Sequence, residues 1–136
     1  MRYKVQSFVH IFAIDNTKEN TSIMNIENTK AQMRKGILEF CILSILKRKD
    51  CYTSEILEEL KSVKLVVVEG TVYPLLTRLK NDDLLIYRWE ESNAGPPRKY
   101  YELTEKGNQF LIELGKTWTT LSEAVDKITS NNINHE

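Results

Sequence analysis

Residues 84–107 read LLIYRWEESNAGPPRKYYELTEKG, and the parsing of this stretch decides the fold. Leu84 to Glu91 alternates, with Leu85, Tyr87 and Trp89 on one side, the period of a strand with two unlike faces. Pro96 and Pro97 carry no N–H, so the tip Glu91 to Pro97 is not expected to pair as a ladder. Arg98 to Leu103 then returns as the second strand of a hairpin. On the return, Lys99, Tyr101 and Leu103 oppose Arg98, Tyr100 and Glu102, so the adjacent cations face opposite ways and only one of them is expected to be a strong ligand for an anion at that face. Thr104 stands where a helix cap is wanted, and Glu105 falls in the first turn, where an acid suits the helix dipole.

Downstream of that cap lies the longest periodic segment. Leu111, Leu114, Trp118, Leu121, Val125 and Ile128 follow one another at three, four, three, four and three residues, a heptad seam. A helix of twenty-five residues is about 37 Å long. That length overhangs a small domain, so a second chain is the expected cover for its outer half.

Upstream, Val72, Leu75, Leu76 and Leu79 form an apolar stripe, with Thr71, Tyr73, Arg78 and Lys80 off it or at its edge. Pro74 limits where this helix can begin, because an interior proline costs about 3 kcal/mol and one in the first turn costs little. A start with Thr71 as cap makes Pro74 harmless; a start at Glu69 puts an acid in the first turn and leaves a bend at Pro74. The β-branched run Val66 to Val68 reads as one short strand. Before it, Thr53 or Ser54 caps a short helix burying Ile56, Leu57 and Leu60. Ile37, Leu38, Cys41, Ile42, Ile45 and Leu46 share one face of a first helix that begins near Thr29. Residues 1–23 are set apart by the polar run Asp15 to Ser22, which has too little apolar content to join a core. They read as a strand or arm, as a disordered extension, or as the product of a start placed upstream of Met24.

The chain has 136 residues, room for one domain, and 19 basic residues against 19 acidic ones. The neutral sum hides polarity along the chain. Lys30, Arg34, Lys35, Lys47, Arg48 and Lys49 crowd the first helix, whereas Glu102, Glu105, Glu113, Glu123, Asp126 and Glu136 outnumber the cations of the tail. Nucleic acid therefore stays open as a partner. Cys41 and Cys51, with no histidine at a ligand spacing, read as reduced structural thiols, which fits a cytoplasmic protein and gives no metal site. Val5 to Ile14 falls well short of the roughly 20 apolar residues that cross a bilayer, so no membrane partner is expected.

Helix, helix, short strand, helix, hairpin with a stiff tip, long helix: this is a mainly α chain with a small β-hairpin, in the order of a winged helix-turn-helix plus a C-terminal dimerisation helix. In that plan the third helix enters a major groove and the hairpin touches the backbone beside it. Cations at the root of a rigid tip, Arg88, Arg98 and Lys99, meet phosphates with little ordering cost and release counterions. Glu90 and Glu91 in the same hairpin weaken that charge, so an ordinary solvated hairpin is the alternative.

EGTVYPLLTRLKNDDLL, at residues 69–85, with GPPRKYYELTEKG at residues 95–107, resembles the PadR family of bacterial transcriptional regulators, in its smaller subclass with a single C-terminal helix. The resemblance runs from about Thr29 to Ile128. It implies a winged-helix domain over 29–103, a dimerisation helix over 104–130, and a homodimer formed by the terminal helix against the partner's first helix. It further implies repression by occupying double-stranded operator DNA with twofold-related half-sites. Carried over by position, Thr71, Tyr73, Pro74 and Arg78 lie on the recognition helix and Gly95, Pro96, Arg98 and Lys99 on the wing. Val68 departs from the serine or asparagine of many members. A tryptophan seventeen residues after the second tyrosine, here Trp118, stacks on flat aromatic ligands between subunits in multidrug-binding members, which points to a small aromatic effector.

Each of these residues has a plainer reading. Tyr73 braces its helix or touches DNA; Arg78 pairs with Asp82 or faces phosphate; Trp118 packs in a core or interface or forms a ligand platform. An interaction module that docks a protein partner through the long helix is the alternative function. Catalysis has little support: His10 and His135 sit in the two tails, and no carboxylate pair with a nucleophile and no glycine-rich phosphate loop occurs. No cofactor is expected.

Overall fold

In a computed structural model the backbone of residues 2–65 and 67–133 is described, and the side chains of 25–65 and 67–130. The elements are α1 (Arg2–Arg48), β1 (Cys51–Tyr52), α2 (Thr53–Ser62), α3 (Glu69–Asn81), β2 (Leu85–Ser92), β3 (Gly95–Leu103) and α4 (Glu105–Ile133). The chain divides into two units, Met1–Ile37 and Leu38–Glu136. In the first, side-chain bonds run along the helix: Thr29 Oγ1 donates to the Asn25 carbonyl at 2.9 Å, and Lys30 pairs with Glu27 at 2.8 Å. The backbone of residues 2–23, set apart above, continues α1, so the first helix starts at Arg2 and not near Thr29 and these residues form no strand; their side chains lie outside the described ones.

The second unit holds the core. Leu38, Ile42, Ile45 and Leu46 of α1 bury the face that their spacing predicts, joined by Leu43, which that spacing did not include, against Ile56 and Leu60 of α2 and Val72, Leu75, Leu76 and Leu79 of α3; Ile37 and Cys41 are only half-buried. Leu84, Leu85, Cys51 and Tyr101 close the cluster from the sheet side, and Leu111 and Leu114 of α4 pack on its edge.

The sheet is antiparallel with strand order β1-β3-β2. Its short member differs from expectation. No strand forms at Val67 and Val68, which belong to the connection into α3, while Val66 lies outside the described residues. The third strand is Cys51–Tyr52, paired to Tyr101 and Tyr100 of β3. Once Cys51 and Tyr52 occupy that edge, the valines have no partner to pair with, and β propensity without a partner makes no strand.

The hairpin tip also differs. Ser92 pairs with Gly95, so the turn is only Asn93 and Ala94 and both prolines fall inside β3. The register shifts between Glu90 and Ser92, because Pro96 and Pro97 together stand opposite the single residue Glu91. A bulge absorbs the missing N–H groups there, one of the few ways in which a strand accommodates proline.

Helix ends are closed by backbone as much as by side chains. α2 is capped at Tyr52, not at Thr53 or Ser54: the Tyr52 N–H donates to Glu55 Oε2 at 2.9 Å, and Thr53 is buried. α3 starts at Glu69 with Val68 as a cap that offers no side-chain acceptor, and Pro74 lies inside it. Of the two starts weighed above, the one with a proline beyond the first turn is realised. At their C-termini, α2 and α3 close alike. Lys64 and Asp83 take left-handed backbone (φ 64° and 60°), and the N–H groups of Leu65 and Leu84 reach back to the carbonyls of Leu60 and Leu79 at 3.0 and 2.9 Å. Both are Schellman closures with an apolar residue folded back on the core.

Thr104 caps α4 as its position predicts. Its Oγ1 accepts from the Gly107 N–H at 2.9 Å and donates to the Asp83 carbonyl at 2.7 Å, while its own N–H donates to the Leu84 carbonyl at 3.1 Å. One threonine thus ties the start of α4 to the end of α3. With the end of α1, the short helices α2 and α3, a small sheet and this hairpin between α3 and α4, the unit is a winged helix.

Candidate nucleic-acid interface

α3 turns Val72, Leu75, Leu76 and Leu79 inward, which leaves Gly70, Pro74, Thr77 and Asn81 along the middle of its outward face at helical spacing. Tyr73 and Lys80 flank that line on one side and Thr71 and Arg78 on the other. Residue chemistry in the sequence pointed to the flanks and passed over three of the four residues in the middle. Its signal was charge and aromaticity, and Gly70, Thr77 and Asn81 offer neither. Tyr73 is 47% exposed. Arg78 does not pair with Asp82; it forms an ion pair with Glu39 of α1, across the helix crossing.

The hairpin carries two chemically different faces. On one, Leu85, Tyr87 and Trp89 of β2 stand opposite Leu103, Tyr101 and Lys99 of β3. Burial falls along this row from Leu85 and Tyr101 in the core to Trp89, which is 62% exposed. Tyr87 meets Trp89 edge to face with centroids 6.0 Å apart, and Lys99 Nζ lies 4.4 Å from the Tyr87 ring centre and 5.6 Å from that of Trp89. The ammonium is thus held by ring faces, an attraction that leaves its charge without an acid partner among the described residues.

The opposite face is an acid–base network. Arg88 contacts Glu90 at 3.0 Å, Glu102 at 3.3 Å and Asp50 at 3.4 Å, and its guanidinium lies 4.4 Å from the Tyr100 ring centre. The Tyr52 hydroxyl donates to Glu90 Oε2 at 2.7 Å. That hydrogen bond, with Arg88 next to it, holds the Glu90 carboxyl below the usual carboxylate range and pushes the Tyr52 phenol up. Tyr52 and Tyr100 meet at 4.7 Å, and Arg98 stacks 4.6 Å from the Tyr52 ring centre. The three cations expected at the wing therefore differ. Arg88 is matched by three carboxylates, whereas among the described residues Arg98 and Lys99 make no ion pair and rest on aromatic rings.

Between wing and helices lies an open cleft of about 390 Å³. Tyr73 and Glu69 of α3 form one wall, Trp89, Pro97, Arg98 and Lys99 the other, and Tyr52, Thr53 and Ser54 at the start of α2 the floor. Arg98 and Lys99 both border it although their strand positions alternate, since at Pro97–Arg98 the edge of β3 has no neighbour.

α4 divides its seam. Leu111 and Leu114 pack against the core of their own chain, and Trp118 stands 6.5 Å from the Phe40 ring in a tilted contact. Leu121, Val125 and Ile128 are exposed, Ile128 at 70%. Phe110 and Ile112, off the seam, are exposed as well. Cys51 is buried and its thiol points to the Lys49 carbonyl at 3.5 Å; burial raises its pKa and that of Cys41, as expected of unreactive thiols. Among the described residues no group of three metal-ligating side chains occurs, and no helix is long and apolar enough to cross a membrane.

Residues 42–113 match the model of the transcriptional regulator PadR-like family. A PadR-like transcription factor from Bacteroides fragilis is 59% identical and superposes with a TM-score of 0.64 over 74% of this chain and 98% of that one. A PadR-like transcriptional regulator from Bacillus cereus is 37% identical, TM-score 0.64, over 72% and 96% of the two chains. A PadR family regulator from Eggerthella lenta is 32% identical, TM-score 0.66, over 76% and 88%.

Proposed function

Because the chain belongs to the PadR-like family of transcriptional regulators, we propose that it is a cytoplasmic repressor that binds a twofold-related operator as a homodimer. α3 enters the major groove, the wing lies on the adjoining backbone, and a small aromatic ligand acting at Trp118 relieves repression. The observation that carries this reading is the pair Arg98 and Lys99. Both are free of acid partners among the described residues and border one cleft with the outward face of α3. On this reading Thr71, Tyr73 and Lys80 work from the helix, Arg98 and Lys99 from the wing, and Arg88 stiffens the hairpin.

Pairing of two chains is supported by the outer half of α4. Leu121, Val125 and Ile128 continue the seam of Leu111, Leu114 and Trp118 past the core of their own chain, and half or more of each is exposed. A row of aliphatic side chains in water is a stripe that a second helix covers. Sedimentation of the purified protein is expected to give a dimer, and Leu121→Glu with Val125→Glu to give a monomer.

The direct test is a mobility shift with the DNA upstream of the chain's own gene, repeated over a series of salt concentrations. Binding is expected to weaken steeply as salt rises. The same exposed α4 stripe also favours a second reading, a winged helix that docks a protein partner. A complete lack of salt-sensitive shift at every protein concentration selects that alternative.

A further inference from the structure

An indole 62% exposed at the outer end of a strand face whose other aromatics are half-buried or buried has no structural role in its own chain that its exposure reflects. Trp89 has Tyr87 on one side, Lys99 across the strand pair, and open cleft on the rest. Facing it across that cleft is Tyr73 of α3. The cleft is thus an aromatic slot whose wing side carries two cations, Arg98 and Lys99, that make no ion pair among the described residues, and whose floor is the first turn of α2 with Ser54. One acid, Glu69, stands on the α3 wall.

A single strand of duplex DNA has matching chemistry: phosphates that alternate with deoxyribose rings, whose faces are apolar. Cations alone serve the phosphates and leave the sugars on water; an aromatic between cations serves both. Resting on the function proposed above, we infer that Trp89 is a DNA-contacting residue. Its indole packs on the sugar, or at the open edge of the minor groove, of the strand that passes between α3 and the wing, while Lys99 and Arg98 take the phosphates on either side. A protein partner is a poorer occupant, since it has no reason to present anionic groups on both sides of an apolar one. Contacts of this kind are read from the shape of the strand, and they favour sequences whose minor groove opens or unstacks easily.

The chain holds two tryptophans, Trp89 and Trp118, so Trp118→Phe leaves Trp89 as the sole reporter. The probe is a duplex of the DNA upstream of the chain's own gene. Trp89 emission is expected to be quenched, and its accessibility to acrylamide to fall, with the midpoint seen by mobility shift. Trp89→Ala is expected to weaken binding on the order of tenfold, as removal of an aromatic platform for nucleic acid does. The slope of log affinity against log salt should not change, because every phosphate keeps its cation. Lys99→Ala is expected to flatten that slope by about 0.9 for each phosphate freed. Should Trp118→Phe not fold, the difference between wild type and Trp89→Phe carries the same emission signal. Should Trp89→Ala not fold, Trp89→Leu keeps the volume and removes the ring. A duplex that shifts normally while Trp89 emission stays unchanged overturns the inference and leaves the regulator reading intact. No shift with any duplex overturns both.

Discussion

The α-carbon of Gly107, in the first turn of α4, lies so close to the carbonyl oxygen of Leu84 that a β-carbon added there would stand 2.1 Å from it and 2.8 Å from Leu103 Cδ1. Backbone cannot withdraw from a methyl group as a flexible side chain can. Gly107→Ala is therefore expected to destabilise the domain by roughly 1–3 kcal/mol, even though alanine is the better helix former. Urea unfolding measures this, and unchanged stability would mean that α4 does not close down on the end of α3.

Gly70 behaves oppositely. A β-carbon there meets nothing within 4 Å, and the residue sits on the outward face of α3. Gly70→Ala is expected to raise stability by about 0.5–1 kcal/mol and to weaken binding to upstream DNA, because the helix backbone is then held off the bases. A variant that is more stable and binds as well as wild type shows that this part of α3 stays clear of the duplex.

Lys64 occupies a left-handed position that closes α2, where a side chain is strained and glycine is not. Lys64→Gly is expected to gain about 0.5–1 kcal/mol by thermal or urea unfolding. The matching change at Asp83 is expected to gain less, since aspartate tolerates that conformation better.

The wing cations separate by salt dependence. Replacing Arg98 and Lys99 by alanine is expected to flatten the salt slope of DNA binding by about 0.9 for each phosphate left without its cation. Arg88→Ala is expected to leave that slope unchanged and instead to loosen the hairpin, because three carboxylates already hold its charge. Equal flattening by both sets would place Arg88 on the phosphates.

Acid acts through Glu90. Its pKa lies below the usual range, first because of the Tyr52 hydroxyl bond and then because of Arg88. The folded form therefore binds the proton less readily than the unfolded one. The resulting stabilisation is complete above the ordinary carboxylate pKa of about 4.3 and is lost as pH falls through the lower folded value. Glu90→Gln is expected to remove this part of the acid sensitivity, seen as a smaller drop in melting temperature between neutral and acid pH.

The elements readable from residue order were those with a period or a capping rule: the core faces of α1 and α3, the two faces of the hairpin, Thr104 and the seam of α4. The two-residue strand Cys51–Tyr52 has no period to detect, and Val66 to Val68 suggested a strand only because β-branched residues cluster there. The start of α3 was undecidable, since Val68 offers no cap and Pro74 argued against the true boundary. At the interface, the cations were visible but their partners were not. Glu39 meets Arg78, and Asp50 meets Arg88, across 39 and 38 positions of chain, and only the fold brings them together.

The bulge at Pro96 and Pro97 bears on solubility. β1 shields β3 only at Tyr100 and Tyr101, so beyond them one flank of the hairpin lies bare. A foreign strand seeking to zip onto that flank finds two successive residues with no proton to give, followed by two cations of the same sign. Copies of this molecule crowded together are thereby hindered from stitching that flank of their wings into a shared, fibre-like ribbon.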